Sequence, residues 1–343
     1  MNKIEKENTV LGILMTAALL VAPMIQVFAD TTLNGAGATF PYPIYSKWFD
    51  EYHKVKPDIK INYQSIGSGG GIRQFTNKTV DFGATDGPMT NPQLFAVDGK
   101  PLHIPTVLGA VVPIFNLEGV TQLNLTGEVI ANIFMGKITS WDDAAITALN
   151  PGAKLPGAAI IVVHRSDGSG TTYCFVDYLC KVSPEWQKKV GKGTSVNWPV
   201  GLGGKGNEGV AGMVKQNKNA IGYGELIYAK QNNLSYAAVK NPAGKFVKAD
   251  IETVSAAADG MAKTMPKDFR VSITNAPGEN AYPISTFTWL LIYENNVGKT
   301  GQVLREFLGW MLNEGQKIAP QLGYAPLPNS VKGMVEKTIP LIK

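Results

Sequence analysis

Cysteine and histidine are scarce in this chain, which has 2 cysteines and 3 histidines among its 343 residues. The histidines (His53, His103 and His164) are scattered and share no metal-ligand spacing with either cysteine. Cys174 and Cys180 lie six residues apart in a predicted helix, which favours two separately packed thiols. A disulfide would require the helix to end between them. The sequence therefore predicts no metal site and no cofactor.

Clusters of basic residues are also missing, although the net charge is +5. No group of Lys and Arg is interleaved with aromatic residues, so a nucleic-acid interface is not expected, whereas a modest positive excess suits a small anion. After the first 29 residues, no stretch has the roughly 20 consecutive apolar residues of a membrane helix. These absences leave a globular protein with a small ligand as the favoured class.

The first 29 residues have the pattern of a secretory signal peptide. Lys3 and Lys6 precede an apolar stretch that Pro23 interrupts, and small or apolar residues stand at the −3 and −1 positions of a cleavage site after Ala29. We expect cleavage there and a mature protein that begins at Asp30. The alternative is an uncleaved anchor, because the apolar part carries no charge and is just long enough to span a bilayer.

Strand and helix patterns alternate along the rest of the chain, which predicts an α/β architecture. Candidate strands cover residues 59–63, 107–115, 160–164 and 287–293. Candidate helices cover residues 44–55, 126–134, 172–182, 209–216 and 301–313, and another begins at Trp141 with Ser140 as its N-cap. The Gly-rich stretch 201–209 is expected to be a surface loop. Two domains are expected, because the chain after residue 29 exceeds the length that one core usually covers.

Four segments combine glycine, hydroxyl and other small residues at the end of a predicted strand: residues 35–41, 66–71, 81–86 and 165–171. In an open α/β sheet, ligands bind outside the carboxyl ends of the strands. Helix N-termini at that edge offer unpaired N–H groups to an anion. Any one of these turns can be purely structural, but the four together predict one anion site.

The segment 165–171 carries the most informative chemistry. Arg165 offers a planar fork of donors, Ser169 and Thr171 offer hydroxyls, and Gly170 leaves the backbone accessible. The only nearby base in sequence is His164, and the residues around Ser169 do not form a Gly-x-Ser-x-Gly nucleophile elbow. We therefore predict a protein that holds an oxyanion without reacting with it. An exported hydrolase with Ser169 as nucleophile is the alternative.

These motifs resemble those of the periplasmic phosphate-binding proteins of the phosphate-specific ABC transporter. The matching stretches are residues 35–41, 63–71, 80–86, 165–171 and 198–207, and the resemblance covers essentially the whole chain after residue 29. It implies a two-lobed periplasmic binding protein fold of type II, with the ligand in the cleft between lobes joined by crossing hinge strands. The implied division is a signal peptide over residues 1–29, lobe I over 30–105 and 284–343, lobe II over 106–283, and hinges near 104–107 and 282–287.

The resemblance also implies the function and its residues. The implied function is high-affinity capture of inorganic phosphate in the periplasm and delivery to inner-membrane ABC permease subunits, by a monomer that performs no catalysis. The implied phosphate-binding residues are Thr39, Phe40, Ser68 and Asp86 in lobe I and Arg165, Ser169, Gly170 and Thr171 in lobe II, with Asp167 as the partner that holds Arg165.

Asp86 is expected to set selectivity. A carboxylate that faces an anion is repulsive unless something compensates for the charge. Phosphate near neutral pH still carries a proton that Asp86 can accept, whereas sulfate carries none, so sulfate would leave a desolvated acceptor unpaired. Other interpretations remain: a site for sulfate or molybdate, a helix-capping role for Asp86, and a surface protein with an adhesive or signalling role.

Overall fold

Strands and helices alternate along the chain in this computed structural model, which describes residues 31–262, 264–296 and 298–343. The predicted signal peptide and its cleavage site lie outside the described residues. The strands, in chain order, are β1 Thr31–Gly37, β2 Ile59–Ser65, β3 Phe82–Thr85, β4 Pro101–Phe115, β5 Asn124–Leu125, β6 Ile161–Arg165, β7 Leu202–Gly204, β8 Ala220–Glu225, β9 Ser235–Tyr236, β10 Ala238–Lys240, β11 Phe246–Val247 and β12 Ser285–Tyr293.

The helices flank these strands. They are α1 Tyr42–Val55, α2 Ser68–Thr76, α3 Asn91–Phe95, α4 Gly127–Phe134, α5 Ala144–Thr147, α6 Gly170–Val182, α7 Pro184–Lys189, α8 Gly206–Gln216, α9 Leu226–Gln231, α10 Ile251–Ala262, α11 Lys299–Trp310, α12 Gln316–Ile318 and α13 Asn329–Thr338. Over the described ranges, no helix has both the length and the apolar composition needed to cross a membrane.

A nine-stranded sheet runs through the molecule in the order β2-β1-β3-β12-β4-β8-β6-β7, with β9 beside β4. At one end β1 pairs in parallel with β2 and β3, and at the other β6 pairs in parallel with β7 and β8. The antiparallel strands β12 and β4 lie between them. The sheet therefore has two parallel halves linked by an antiparallel centre, and a separate three-stranded sheet, β11-β10-β5, accompanies the second half.

Strand β4 belongs to both halves. Its residues 101–110 pair with β12, and its residues 111–115 pair with β8. Nearly every residue along it is buried, as is typical of a strand covered on both faces. Around it, one continuous cluster of buried apolar side chains extends into both halves and includes four fully buried tryptophans: Trp48, Trp141, Trp186 and Trp289.

The predicted α/β class is confirmed, and most predicted elements are present with shifted ends. The helix predicted from Trp141 is wrong in its start, because it begins at Ala144. The Asp143 carboxylate accepts from the N–H of Ala145 (2.8 Å) and caps that helix in place of Ser140, while Trp141 is buried before it. The helix predicted over 301–313 begins at Lys299 and continues beyond Trp310 as a π-helical turn, Met311–Gly315.

The stretch 201–209 is not a surface loop. Leu202–Gly204 forms β7 beside β6, and α8 begins at Gly206. Glycine serves close packing here, because a Cβ atom at Gly204 would lie 2.9 Å from the carbonyl carbon of Gly209. This stretch therefore positions the first turn of α8.

Candidate functional site

The carboxyl ends of the parallel strands from both halves of the sheet meet at one place. The turns after β1, β2 and β3 approach from one half, and the turns after β6 and β7 approach from the other. The Gly69 N–H donates to the Gly168 carbonyl oxygen across this junction (2.8 Å). The four segments predicted to form an anion site therefore converge, as expected for ligand sites in open α/β sheets.

The structure brings the predicted site residues together in the interior. Their side chains are at most 3% exposed: Thr39, Phe40, Ser68, Asp86, Arg165, Ser169 and Thr171. Gly170 permits a close approach of the two halves, since a Cβ atom there would lie 2.5 Å from Ser68 Oγ and 2.6 Å from the Asp86 nitrogen. The two halves of the site are thus in direct contact.

Gly67 shows the same close approach from the other half. Its φ of 87° lies in the left-handed region that favours glycine, and a Cβ atom there would lie 2.3 Å from Asp167 Oδ2. Gly67 therefore satisfies two demands at once, the turn that starts α2 and the approach of Asp167.

Serine hydroxyls stand at the first turns of two helices. Ser68, the first residue of α2, accepts at Oγ from the Asp86 N–H (3.2 Å). Ser169 is the N-cap of α6 and accepts at Oγ from the Thr172 N–H (3.0 Å). A hydroxyl that accepts from an N–H still has its own proton to donate, so both serines can donate to an anion.

Arg165 is buried and only partly paired. Its Nε and Nη2 donate to Asp167 at 2.7 and 2.6 Å, in a bidentate ion pair. Its Nη1 is buried and has no partner among the described residues. Burial opposes ionisation of Asp167, but the hydrogen bonds and charge of Arg165 and the N–H of Gly206 outweigh it and lower the pKa of that carboxyl. Arg165 is therefore held by Asp167, and its Nη1 nitrogen remains without a partner.

Asp86 supplies an acceptor among these donors. Its Oδ1 accepts from Thr288 Oγ1 (2.9 Å), and its Oδ2 is buried without a partner among the described residues. Burial raises the pKa of Asp86 to about 7, against the opposing effects of the Thr288 hydrogen bond and the Arg165 charge. The carboxyl of Asp86 therefore offers one buried, unpaired oxygen among the donors of the site.

Sequence reasoning gave no role to Asn207, although this residue ends the matched stretch 198–207. It is fully buried, and its Nδ2 donates to Oγ1 of Thr39 (2.7 Å) and of Thr171 (3.1 Å). The available signal was a polar side chain directly after Gly206 at the start of a predicted helix. Glu225 was also missed: it ends β8, is buried, and donates from its N–H to Asn207 Oδ1 (2.9 Å).

The residues that a hydrolase would need are engaged elsewhere. His164 places Nδ1 3.0 Å from the Arg165 carbonyl oxygen and stacks on Trp198, with ring centroids 4.9 Å apart. Among the described residues no hydrogen bond joins His164 to Ser169, whose Oγ caps α6, so these two residues do not form a nucleophile and base pair. In the part of the chain that the structure describes, no group of three or more His, Cys, Asp or Glu side chains could hold a metal ion.

Both cysteines lie within α6, which does not end between them. They are free thiols, in agreement with the favoured prediction. Cys174 is buried and its Sγ donates to the Asp86 carbonyl oxygen (3.2 Å), so it packs behind the site.

Comparison with known proteins identifies the family. A family model described as a PBP superfamily domain matches residues 26–314. The phosphate-binding protein PstS of Pasteurella multocida is 47% identical over 321 residues, which cover 92% of each chain. The chain belongs to the family of PstS phosphate-binding proteins. Another family member, from Xylella fastidiosa, is 44% identical over 97% of this chain and 92% of its own.

The fold agrees with this family. A high affinity periplasmic phosphate-binding protein, PfluDING, solved with bound phosphate, superposes with a TM-score of 0.73 at 22% identity, over 90% of this chain and 93% of that one. The likeness confirms the predicted two-lobed α/β fold of the periplasmic binding proteins.

Proposed function

We propose that this protein captures inorganic phosphate and delivers it to the inner-membrane permease subunits of an ABC importer, by binding alone and without catalysis. One observation supports the choice of ligand: among the described residues of the site, Asp86 Oδ2 is a buried acceptor without a partner and Arg165 Nη1 is a buried donor without one. An anion that carries one proton satisfies both groups. The names of the PstS relatives agree with this ligand.

The proposed binding groups divide between the two halves. Thr39, Ser68, Ser169 and Thr171 contribute hydroxyl donors, Phe40 and Gly170 contribute backbone N–H groups, Arg165 contributes its free guanidinium donor and Asp86 contributes the acceptor. Asp167 keeps Arg165 oriented through the bidentate pair. The helix N-termini of α2 and α6 add favourable electrostatics for an anion.

Lobe closure is the proposed mechanism. Residues 30–105 and 284–343 form lobe I, residues 106–283 form lobe II, and the hinges lie near 104–107 and 282–287. This division is supported by β4, which pairs with β12 before residue 111 and with β8 from that residue onward. Contacts between the lobes, such as that of Gly69 with Gly168, then exist only in the closed form, and the ligand shifts the population towards it.

We further propose that the protein is exported to the periplasm as a monomer, with its signal peptide removed after Ala29. The apolar N-terminal stretch and its cleavage pattern support export. Mass spectrometry of the protein secreted by its native host tests this proposal. A mature protein that begins at Asp30 is expected, and a protein that retains residues 1–29 would contradict it.

Calorimetric titration of the ligand-stripped protein starting at Asp30 tests the function. Phosphate and sulfate are titrated separately at neutral pH. We expect one-to-one phosphate binding and no binding heat with sulfate. Equal binding of both anions would remove Asp86 as the selectivity group, and no heat with either anion would contradict the proposed function.

A further inference from the structure

Asn207 connects the two halves of the site through hydroxyl groups. Its Nδ2 donates to Thr39 Oγ1 in one half and to Thr171 Oγ1 in the other, and its backbone N–H also donates to Thr39 Oγ1 (3.3 Å). All three residues are at most 2% exposed. A single asparagine at the second position of α8 therefore hydrogen-bonds two hydroxyls that belong to different halves.

The orientation of the Asn207 amide is set by its other end. Oδ1 accepts from the backbone N–H of Glu225 (2.9 Å). Because a backbone N–H can only donate, the atom that faces it must be the amide oxygen, and the NH₂ group must face the threonines. The Glu225 backbone thus prevents the amide from rotating by half a turn.

This arrangement dictates which way the hydroxyl protons point. A hydroxyl has one proton and two lone pairs, and both lone pairs of Thr39 Oγ1 are occupied by Asn207. One lone pair of Thr171 Oγ1 is occupied in the same way. Within the described residues, neither hydroxyl proton has a protein acceptor, so both are available to a ligand.

We propose that Asn207 is a positioning residue of the anion site, an inference that rests on the proposed phosphate function. By filling lone pairs of Thr39 and Thr171, it makes both hydroxyls donors towards the anion. It also joins the proposed lobes, because its bonds to Thr39 form only when the lobes are closed. Asn207 acts on phosphate through the two threonines and does not itself need to touch the ligand.

A double-mutant cycle tests this proposal. Dissociation constants for phosphate are measured by calorimetry, or by equilibrium dialysis with radiolabelled phosphate where binding is weak. The proteins are the wild type, Asn207→Ala, the variant with both Thr39→Val and Thr171→Val, and the triple variant. We expect Asn207→Ala to weaken binding about tenfold or more in the wild type, and by less than about twofold when both hydroxyls are absent. Equal losses in the two backgrounds would overturn the proposal.

Asn207→Asp separates positioning from a merely structural role. Aspartate keeps the shape and can still accept from Glu225, but its second oxygen would accept the threonine protons and turn their lone pairs towards the ligand. We therefore expect Asn207→Asp to weaken phosphate binding more than Asn207→Ala, and by more in the protein with both threonines than in the double-valine variant. A structural role combined with charge repulsion predicts equal losses in the two backgrounds. The loss of affinity that Asn207→Asp causes in the variant with Thr39→Val and Thr171→Val measures the effect of the added charge alone. A smaller loss of phosphate affinity with Asn207→Asp than with Asn207→Ala would contradict the proposal.

Asn241→Ala is the matched control. Asn241 is also a buried asparagine, but its Nδ2 donates to the carbonyl oxygens of Gly278, Glu279 and Ala281 instead of to hydroxyls. The Asn241→Ala substitution should lower the melting temperature and leave phosphate affinity unchanged. If Asn207→Ala does not fold, Asn207→Ser replaces it in the cycle. If the wild type binds phosphate and no Asn207 variant changes the affinity, only this inference is refuted. If the wild type does not bind phosphate, the proposed function is refuted.

Discussion

Two buried side chains of the proposed site have opposite requirements. Arg165 has a buried donor, Nη1, that needs an acceptor, and Asp86 has a buried acceptor, Oδ2, that needs a donor. Leaving either group unpaired is costly, because a buried charged group without a partner loses its hydration and gains nothing in return. A singly protonated oxyanion offers both an acceptor and a donor, so residue chemistry alone favours phosphate over sulfate.

Selectivity against sulfate should depend on Asp86. In Asp86→Asn the amide can donate to a sulfate oxygen, so the lone-pair repulsion is removed. We expect the ratio of phosphate to sulfate affinity to fall, with a smaller loss of phosphate binding itself. Paired calorimetric titrations of both anions measure the ratio. Unchanged rejection of sulfate by the variant would contradict the proposed role.

Asp86 should also make folding stability depend on pH. Its pKa rises from 3.8 to about 7 on folding, so the unfolded chain releases this proton more readily, and stability is lost as pH rises from about 4 to about 7. The Asp86→Asn substitution removes this loss of folding stability at high pH. We expect the variant to be more stable than the wild type at pH 8, on the order of a few kcal/mol, and equally stable near pH 4. Thermal unfolding of phosphate-free protein at both pH values measures the difference.

Asp177→Asn is the matched control with the opposite sign. Burial of Asp177 is outweighed by hydrogen bonds from Lys192, Ser272 and Thr274, which lower its pKa to about 2. Its contribution to stability is present above pH 4 and is lost as pH falls towards 2. Its replacement should therefore destabilise the protein at neutral pH. If Asp86→Asn and Asp177→Asn changed the pH dependence of stability in the same way, the opposite effects assigned to the two carboxyls would be refuted.

Arg165 should supply the main attraction for the anion. Arg165→Ala removes the free donor and leaves Asp167 without its bidentate partner. We expect phosphate binding to weaken by about 2–4 kcal/mol, the scale for truncating a buried charged contact. Calorimetry measures this loss. Arg73→Ala deletes the same charge from an exposed helix position and should leave affinity unchanged; unaltered binding by Arg165→Ala would remove Arg165 from the site.

At the scale of elements, the site is made by first turns of helices that point at each other. The start of α6 approaches the start of α2 so closely that Gly170 has no room for a side chain. No local pattern in the sequence predicts this contact between α6 and α2. It explains why glycine stands at a helical position where alanine would otherwise favour the helix.

Gly170→Ala should hinder closure. The added methyl group would meet Ser68 and the Asp86 backbone, so the closed form would be disfavoured while α6 stays intact. We expect weaker phosphate binding with an unchanged melting temperature of the phosphate-free protein. Gly212→Ala in α8 is the control, because a Cβ atom there meets nothing within 4 Å. Equal phosphate affinity of both variants would show that closure tolerates the methyl group.

Periodicity predicted the elements of this fold, but it could not predict the pairing between them. The apolar strands and amphipathic helices appear near their expected positions, whereas the stretch 201–209 was wrongly predicted as a loop, because Gly201 and Gly203 lie against β6 and the residue after it and Gly204 packs against α8. Asn207 was missed because its role depends on Thr39, 168 positions earlier in the chain. Side-chain chemistry alone pointed to Arg165, Ser169 and Thr171 in the segment 165–171, whereas the assignment of Thr39, Phe40, Ser68 and Asp86 came from the family resemblance.

For the whole molecule, closure should be visible as a change in size. The proposed lobes share β4, so they can separate by bending at the chain crossings without unfolding. We expect phosphate to reduce the radius of gyration of the ligand-stripped protein in small-angle X-ray scattering, and sulfate to leave it unchanged. Arg165→Ala at the same phosphate concentration is the control. No change in the wild type with saturating phosphate would contradict closure.

The burial of every predicted contact side chain has a kinetic consequence. In the proposed mechanism, an ion held between Ser68, Arg165 and Ser169, each at most 3% exposed, can leave only after the lobes move apart. Its residence time is then governed by the opening rate of the protein, and an acceptor that pulls the halves apart can discharge the ion faster than spontaneous escape allows.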